Sequence, residues 1–408
     1  MRYTGPMDST DVIILGGGLV GLTLALALDA HGLSAAVIDP IDPASTLSRD
    51  FDGRATAIAS ATWRMFDAIG IARDLRATSC PIKRIDVRDG LSPEALDFTP
   101  EDGDDALGTM VENRLIRKAL FEAASAAQGI TPYYQDRATH IDRNAHGVTV
   151  DLASGKSIRA PLILVCEGRN SPTRAAAGIA IAHWSYDHRA IISAFDHIIP
   201  HHNVAHEIFF PAGPFALLPM QPGTRSALVW TVDEKDADGV LALSERAFAA
   251  EVQKRTGGVL GAITMAAHRS SYKLGFHHAA HITAERLALV GDAAHGIHPI
   301  AGQGLNLGLR DVATLVEVLV DGARLGLDLG DAQLLARYER WRGLDTFMVA
   351  LATDSLTRIY GVPGKTARAV RRFGMGAIQR IKPLKNRLMA EARGESGDLP
   401  KLLKGELV

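Results

Sequence analysis

Cysteine is scarce. Only Cys80 and Cys166 occur in 408 residues, with no Cys-x-x-Cys, so neither a disulfide framework nor a thiolate zinc site is expected. Excess charge of one sign is also missing: 44 Lys and Arg face 46 Asp and Glu, a formal net charge of −2. That balance argues against a globally basic nucleic-acid binder, and no nucleic-acid partner is expected. Hydrophobic residues make up 47% and charged ones 22%, which excludes a disordered chain and suits two or three globular domains. Gly-x-Ser-x-Gly is absent, so a hydrolase elbow has no support. Gly364-Lys365-Thr366 ends like a P-loop, but Ile359 stands where that loop needs its first glycine.

Long apolar runs are short of what a membrane span needs. The longest candidate, Val12–Leu28, has 17 uncharged residues. Asp8 and Asp11 precede it where a signal peptide would carry Lys or Arg, and no small-residue cleavage site follows. The glycines inside it explain it better. Asp11–Leu15 reads as a buried strand, Gly16-Gly17-Gly18 as a turn, and Leu19, Leu22, Leu26 and Ala30 as one face of a helix. Ala35–Ile38 is a second buried strand, ended by Asp39.

Gly16-x-Gly18-x-x-Gly21 therefore lies between a strand and a helix inside a βαβ unit. Gly16 makes the tight turn, Gly18 lets backbone approach a pyrophosphate, and Gly21 lets the helix pack on the sheet. The helix N-terminus, with Leu19 and Val20, offers N–H donors to phosphate. Asp39 follows Gly21 by 18 residues, where an acid accepts a ribose hydroxyl. The pattern predicts dinucleotide binding without choosing between NAD and FAD.

Two further clusters follow predicted strands. Glu167-Gly168-Arg169-Asn170-Ser171-Pro172-Thr173-Arg174 follows Leu162–Cys166. Gly291-Asp292-Ala293-Ala294-His295-Gly296-Ile297-His298-Pro299-Ile300-Ala301-Gly302-Gln303-Gly304-Leu305-Asn306 follows Leu287–Val290 and opens a long helix. A strand-end acid can hold a ribityl hydroxyl, and a Gly-x-Gly at a helix start can aim N–H groups at an electron-rich ring edge. Histidines pair at 295 and 298 and cluster at 277, 278 and 281, but without a cysteine or a metal-type arrangement of acids no metal site is expected.

The sequence resembles the FAD-dependent aromatic hydroxylases typified by para-hydroxybenzoate hydroxylase, and more closely the ubiquinone-biosynthesis hydroxylases of polyprenylated phenols. The likeness covers roughly 10–390 and rests on Gly16–Gly21, Phe51–Ile58, Val111–Arg114, Glu167–Arg174 and Gly291–Asn306, in the family's order. It implies non-covalent FAD held through Gly16, Gly18, Leu19, Val20, Gly21 and Asp39. Arg54 would lie beside the flavin, and Asn113 and Arg114 near the phosphates or ribityl chain. Glu167, Gly168 and Arg174 match a motif that handles both FAD and NAD(P)H, with Glu in place of the family's Asp. Gly291 and Asp292 match the ribityl-binding acid, Pro299 the proline beside the flavin ring, and Gly302, Gln303, Gly304, Leu305 and Asn306 the backbone facing the pyrimidine edge.

The implied chemistry belongs to the cofactor, so no nucleophilic or catalytic side chain is required. NADH or NADPH reduces FAD as a transient co-substrate, O2 adds to give a C4a-hydroperoxyflavin, and its distal oxygen passes to a phenol ring carbon. Rival readings are a hydroxylase of a soluble aromatic acid and a non-catalytic FAD-binding member of a biosynthetic complex.

The implied fold is α/β (α+β overall). A Rossmann-type FAD-binding domain would comprise 8–80, 104–183 and 282–345. An inserted antiparallel β-sheet substrate domain would comprise 81–103 and 184–281, leaving a C-terminal basic helical region over 346–408. Phe215–Met220 and Ser226–Val232 read as a hairpin, 241–255 as a helix, and Asp89–Asp105 as an acidic loop. Ser355–Ala390 carries nine Lys or Arg and no acid, interleaved with apolar residues. That composition suggests basic amphipathic helices that guide a cytoplasmic protein to the inner face of the cytoplasmic membrane, or to a ubiquinone-biosynthesis complex there. A packed helix pair with a solvated basic face is the alternative. Monomer and homo-oligomer both remain open.

Overall fold

A computed structural model describes residues 8–47, 50–93, 95–101, 103–296, 303–343, 374, 376 and 378–408. The apolar runs Val12–Leu15, Ala35–Asp39 and Leu162–Val165 suit strands covered on both faces, and they form the centre of a six-stranded sheet. Its order is Thr283–Ala284, Leu287–Leu289, Leu162–Val165, Val12–Leu15, Ala35–Asp39, Ile130–Tyr134. Every ladder is parallel except that of the outermost Thr283–Ala284. Chain order reverses between Val12–Leu15 and Leu162–Val165, and a crevice opens beyond their carboxyl ends, where such sheets bind ligands. Helices Leu19–Asp29, Asn113–Ala126 and Gln303–Arg324 pack into one large core with this sheet.

A second, nine-stranded sheet takes strands from three stretches of chain, the last being the short edge strand His295–Gly296 beside Ser270–Ala279. Arg84–Asp89 and Leu96–Phe98 come from the first, and the long strands between Ile181 and Ala279 from the second. Its ladders are antiparallel except where Val204–Phe210 meets Arg84–Asp89 in parallel. That pair is joined through the other half of the molecule, the long connection that parallel pairing requires. The helices Glu234–Leu241 and Glu245–Thr256 cover one face, over Ile191, Phe195, Phe215, Leu217, Leu228 and Trp230. The helix expected over 241–255 is Glu245–Thr256, and a further short helix, Glu234–Leu241, precedes it. The first ends at Leu241, and Ser244 caps the second by accepting from the Ala247 N–H at 3.2 Å. The stretch expected to be an acidic loop contains the strand Leu96–Phe98, whose Leu96 is buried while Glu101, Asp104 and Asp105 are exposed. The expected hairpin joins Gly213–Met220 to Arg225–Asp233.

The C-terminal basic stretch lies mostly outside the described residues, including Arg358, Lys365, Arg368, Arg371 and Arg372. Its described end forms the helix Lys382–Ala392, which buries Met389 against Cys80, Ile82 and Met110. The chain then packs on the dinucleotide half: Arg310 Nη1 donates to the Gly394 carbonyl at 3.0 Å, and Arg324 to the Val408 carbonyl at 2.7 Å. Arg380, Lys382 and Arg387 stay exposed, beside exposed Ile381 and Leu384. Among the described residues no helix is long and apolar enough to cross a membrane.

Phe248 tests whether the two cores are separable. It is fully buried, with ring centroids 6.0 Å from Phe195 and 5.6 Å from Trp230. Phe248→Ala should cost about 3–5 kcal/mol and lower the melting temperature, while cofactor affinity per folded molecule stays unchanged. Equal losses of both would show that the cores are not independent.

Candidate active site

The first glycine cluster is shaped by close approach. Gly16 has φ +103°, and a Cβ there would stand 2.4 Å from the Cys166 carbonyl oxygen. A Cβ on Gly21 would stand 1.9 Å from the Gly16 carbonyl oxygen, so only glycine lets the helix Leu19–Asp29 sit on the turn. Gly18, by contrast, faces open space and begins that helix without any side-chain cap. The first N–H groups, those of Leu19 and Val20 among them, are left to an outside acceptor, which is what a pyrophosphate supplies. Asp39 holds the turn in shape, accepting from the Gly17 N–H at 2.6 Å and the Ile41 N–H at 2.7 Å. A carboxylate accepts about four hydrogen bonds, so capacity for a ribose hydroxyl remains.

Glu167 reaches back into its own loop. It accepts from Ser171 Oγ at 2.6 Å, Thr173 Oγ1 at 3.0 Å and the Thr173 N–H at 3.1 Å. It therefore caps the turn Pro172–Ala176, and the extra methylene relative to Asp serves that reach. Gly168 turns the loop at φ +79°. Arg174 is buried and donates to the Ala293 carbonyl at 2.9 Å, docking this loop on the third cluster.

In that third cluster, Gly291 has φ +65° and packs on Val20. Its N–H donates to Asp311 Oδ2 at 2.9 Å. The same carboxylate accepts from His295 Nε2 at 2.6 Å and Arg342 Nε at 2.6 Å. Burial alone would raise the Asp311 carboxyl, but His295 and Arg342 outweigh it and hold the group below the usual carboxylate range. Asp292 is exposed at the mouth of this recess. The surrounding protein raises its carboxyl, helped by Asp311 and opposed by His295 and Arg169.

His277 donates from Nε2 to the Asp292 carbonyl at 2.8 Å. Burial, with Arg169, Arg174 and His295 nearby, lowers its imidazole to about 4, so it is neutral. Its buried Nδ1 has no hydrogen-bond partner among the described residues. Arg169 Nη2 would lie 3.0 Å from a Cβ on Gly296, and Arg169 and Arg54 both oppose the burial that raises the Tyr272 hydroxyl. An uncapped helix start, an open cradle at Gly18, an accepting acid at Asp292 and cationic Arg54 and Arg169 form a donor set that fits FAD.

Other expected residues lie at the margin. Arg54 is half exposed, and its carbonyl accepts from the Asn113 N–H at 3.0 Å. Asn113 Oδ1 accepts from Thr56 at 2.6 Å, and Arg114 pairs with Glu112 at 2.5 Å. Gln303 and Gly304 open the helix Gln303–Arg324, with Leu305 packed against the core. Asn306 clamps the strand Ala55–Ala59, accepting from the Ala59 N–H at 2.9 Å and donating to the Ala57 carbonyl at 2.8 Å. Pro299 and Gly302 lie outside the described residues. The residues that sequence reasoning missed are Asp311, Arg342, Arg169 and His277. Asp311 carried a signal: it is a carboxylate beside the apolar stripe Leu305, Leu309, Val312, Leu315 and Leu319.

The profile of the FAD binding domain family matches residues 9–344. Ubiquinone hydroxylase UbiL of Rhodospirillum rubrum is 43% identical over 98% of this chain and 94% of its own. The 3-demethoxyubiquinol 3-hydroxylase of Escherichia coli is 31% identical over 94% of this chain and 98% of its own. The chain belongs to the FAD-dependent hydroxylases of ubiquinone biosynthesis. Mitochondrial ubiquinone biosynthesis monooxygenase COQ6 of Homo sapiens is 30% identical over 96% of this chain and 94% of its own. The p-nitrophenol 4-monooxygenase PnpA of Pseudomonas putida shares the fold at a TM-score of 0.78 and 18% identity, over 96% of this chain and all of that one.

In this flavin hydroxylase Asp292 and Asp311 should separate experimentally. Asp292→Ala should weaken FAD binding by about 10–100-fold, the worth of one charged hydrogen bond, with little change in melting temperature. Asp311→Asn leaves Arg342 buried beside a neutral group and should cost about 3–5 kcal/mol. The Asp311 contribution is present above its unfolded value and is lost as pH falls through its depressed folded value. The destabilisation by Asp311→Asn should therefore be full at neutral pH and shrink in acid. FAD fluorescence titration and thermal unfolding read the two effects, and identical behaviour of the variants would refute the division.

Proposed function

We propose that this protein hydroxylates the aromatic ring of a polyprenylated phenol in ubiquinone biosynthesis, using non-covalent FAD, NAD(P)H and O2. Phenol, O2, NAD(P)H and a proton give the hydroxylated phenol, NAD(P)+ and water. The observation that carries the reading is the 43% identity to a ubiquinone hydroxylase over nearly the whole chain, together with a dinucleotide cradle whose parts converge.

Bound FAD would supply the reduction of O2 and the electrophilic oxygen. The chain's own residues bind and orient it. Leu19 and Val20 N–H groups would take the pyrophosphate, Asp39 the adenosine ribose, and Asp292 the ribityl chain. Arg54 and Arg169 place positive charge at the junction with the nine-stranded sheet, where a reduced flavin would carry negative charge. Asp311, Arg174 and Asn306 position these groups without needing to touch the cofactor. The apolar sheet face beyond Tyr272 would exclude water from the ring being oxidised. We assign 8–80, 104–183 and 282–345 to cofactor binding, and 81–103 with 184–281 to the substrate, on the same reading.

The purified protein should be yellow and release FAD on denaturation. A prenylated phenol should stimulate NAD(P)H oxidation and be converted, whereas para-hydroxybenzoate should not. Conversion of both alike would favour a soluble aromatic acid as substrate, and no oxidation at all a non-catalytic role.

A substrate of this kind resides in a bilayer. Exposed Arg380, Lys382 and Arg387 beside Ile381 and Leu384 support peripheral contact with the inner face of the cytoplasmic membrane, each charge contributing about 1 kcal/mol near anionic lipid. Sedimentation with anionic liposomes should fall with salt, and fall further when these three residues are made neutral. Equal, salt-insensitive partitioning of both proteins would rule out the electrostatic contact.

A further inference from the structure

Glu207 lies in the middle of the strand Val204–Phe210, opposite Val87 on one side and Ala216 on the other. Its neighbour Ile208 points to the helix-covered face, with Phe215, Leu217 and Trp230. Ala205, two residues away, packs instead with Ala55, Ala57, Ile82, Met110 and Leu218, towards the cofactor half. By strand alternation Glu207 shares this second face. From it the register runs through Ala216, Val229 and Ile192 to Ser270. Tyr272, two residues further on and on the same face, lies in the fields of Arg54 and Arg169. An apolar row thus connects the cofactor side to one carboxylate.

That carboxylate has no hydrogen bond or ion pair among the described residues, and burial alone pushes it up to about 7. Of the titratable groups near it in the ladder, His206, Asp86 and Arg88 alternate to the other face, with His206 and Asp86 3.9 Å apart, while buried Asp89 lies on the Glu207 face two residues beyond Val87. Thr231 Oγ1, buried and without a partner among the described residues, lies on the Glu207 face. An apolar side chain would suit these surroundings better than an unpaired acid. A half-buried acceptor on an apolar floor calls for a ligand that is mostly apolar and brings one donor.

We propose that Glu207 accepts the hydrogen bond of the substrate's phenolic hydroxyl and takes up its proton as the ring is oxidised. The inference rests on the phenol-hydroxylase reading above. The phenolic O–H bond breaks, its electron pair stays on oxygen, and the proton moves to the Glu207 carboxylate. The ring becomes more electron-rich toward the oxygen that NAD(P)H, O2 and FAD supply. When the hydroxylated ring recovers aromaticity it releases the proton on carbon to solvent, offsetting the proton taken up as the second oxygen atom leaves as water, and the phenolic oxygen is reprotonated from Glu207, which ends unchanged. An acid that titrates near neutral pH suits that exchange.

The test uses FAD-loaded protein, 2-prenylphenol and the methyl ether of that phenol, with binding read from the change in flavin absorbance. The unmodified protein should prefer the phenol by about 10–100-fold. Glu207→Leu should remove most of that preference. Glu207→Gln, which keeps the shape and a neutral acceptor, should retain part of it while NAD(P)H oxidation becomes uncoupled from product. If Glu207→Leu does not fold, the Gln variant decides. An unchanged preference in the folded variants, with the unmodified protein binding and hydroxylating the phenol, would overturn the role of Glu207 alone. Failure of the unmodified protein to bind or hydroxylate any prenylated phenol would overturn the substrate reading and this inference with it.

Discussion

The candidate active site depends on one buried carboxylate. Asp311 is fully removed from water, which for an ion costs several kcal/mol unless its oxygens are met. They are met by His295, Arg342 and the Gly291 N–H. The result is positional. The turn after the strand Leu287–Leu289 is fixed to the helix Gln303–Arg324, close enough that a Cβ on Gly308 would lie 3.1 Å from the Gly291 Cα. Asp292 is thereby held at the mouth of the crevice with its carbonyl on His277. The same helix, through Asn306, fixes the strand that follows Arg54. Several ligand-facing groups are therefore set by packing from behind.

Much of the dinucleotide half was legible in the sequence because its signals are local. Gly16, Gly18 and Gly21 answer to backbone geometry within one turn, and Asp39 to the end of one strand. The buried strands announced themselves as short apolar runs. Glu167 was also found, but its partners were not, since a carboxylate that caps its own loop looks the same in sequence as one that waits for a ligand. Asn306 shows the same ambiguity: its place in the motif points to the cofactor, while its side chain holds two backbone groups of Ala57 and Ala59.

The less legible features are those made by distance along the chain. Asp311 meets Arg342 across 31 residues, and Asn306 meets Ala59 across 247. The parallel pairing of Val204–Phe210 with Arg84–Asp89 follows from chain topology and has no local signature. Strand Leu96–Phe98 was masked by the acids around it. The start of the helix Glu245–Thr256 was, in contrast, available from the capping chemistry of Ser244. Glu207 drew no notice because one acid in a strand ordinarily points to water; only the layering of the sheet turns it inward.

Ring hydroxylation by oxygen from O2 is the central claim, and isotopically labelled O2 tests it most directly. Purified protein, FAD, NAD(P)H and a prenylated phenol are incubated under labelled O2 in ordinary water, and the product is weighed by mass spectrometry. The account predicts one labelled oxygen on the ring for each hydroxylation. A hydroxylated product carrying oxygen from water, or none formed while NAD(P)H is consumed, would contradict it.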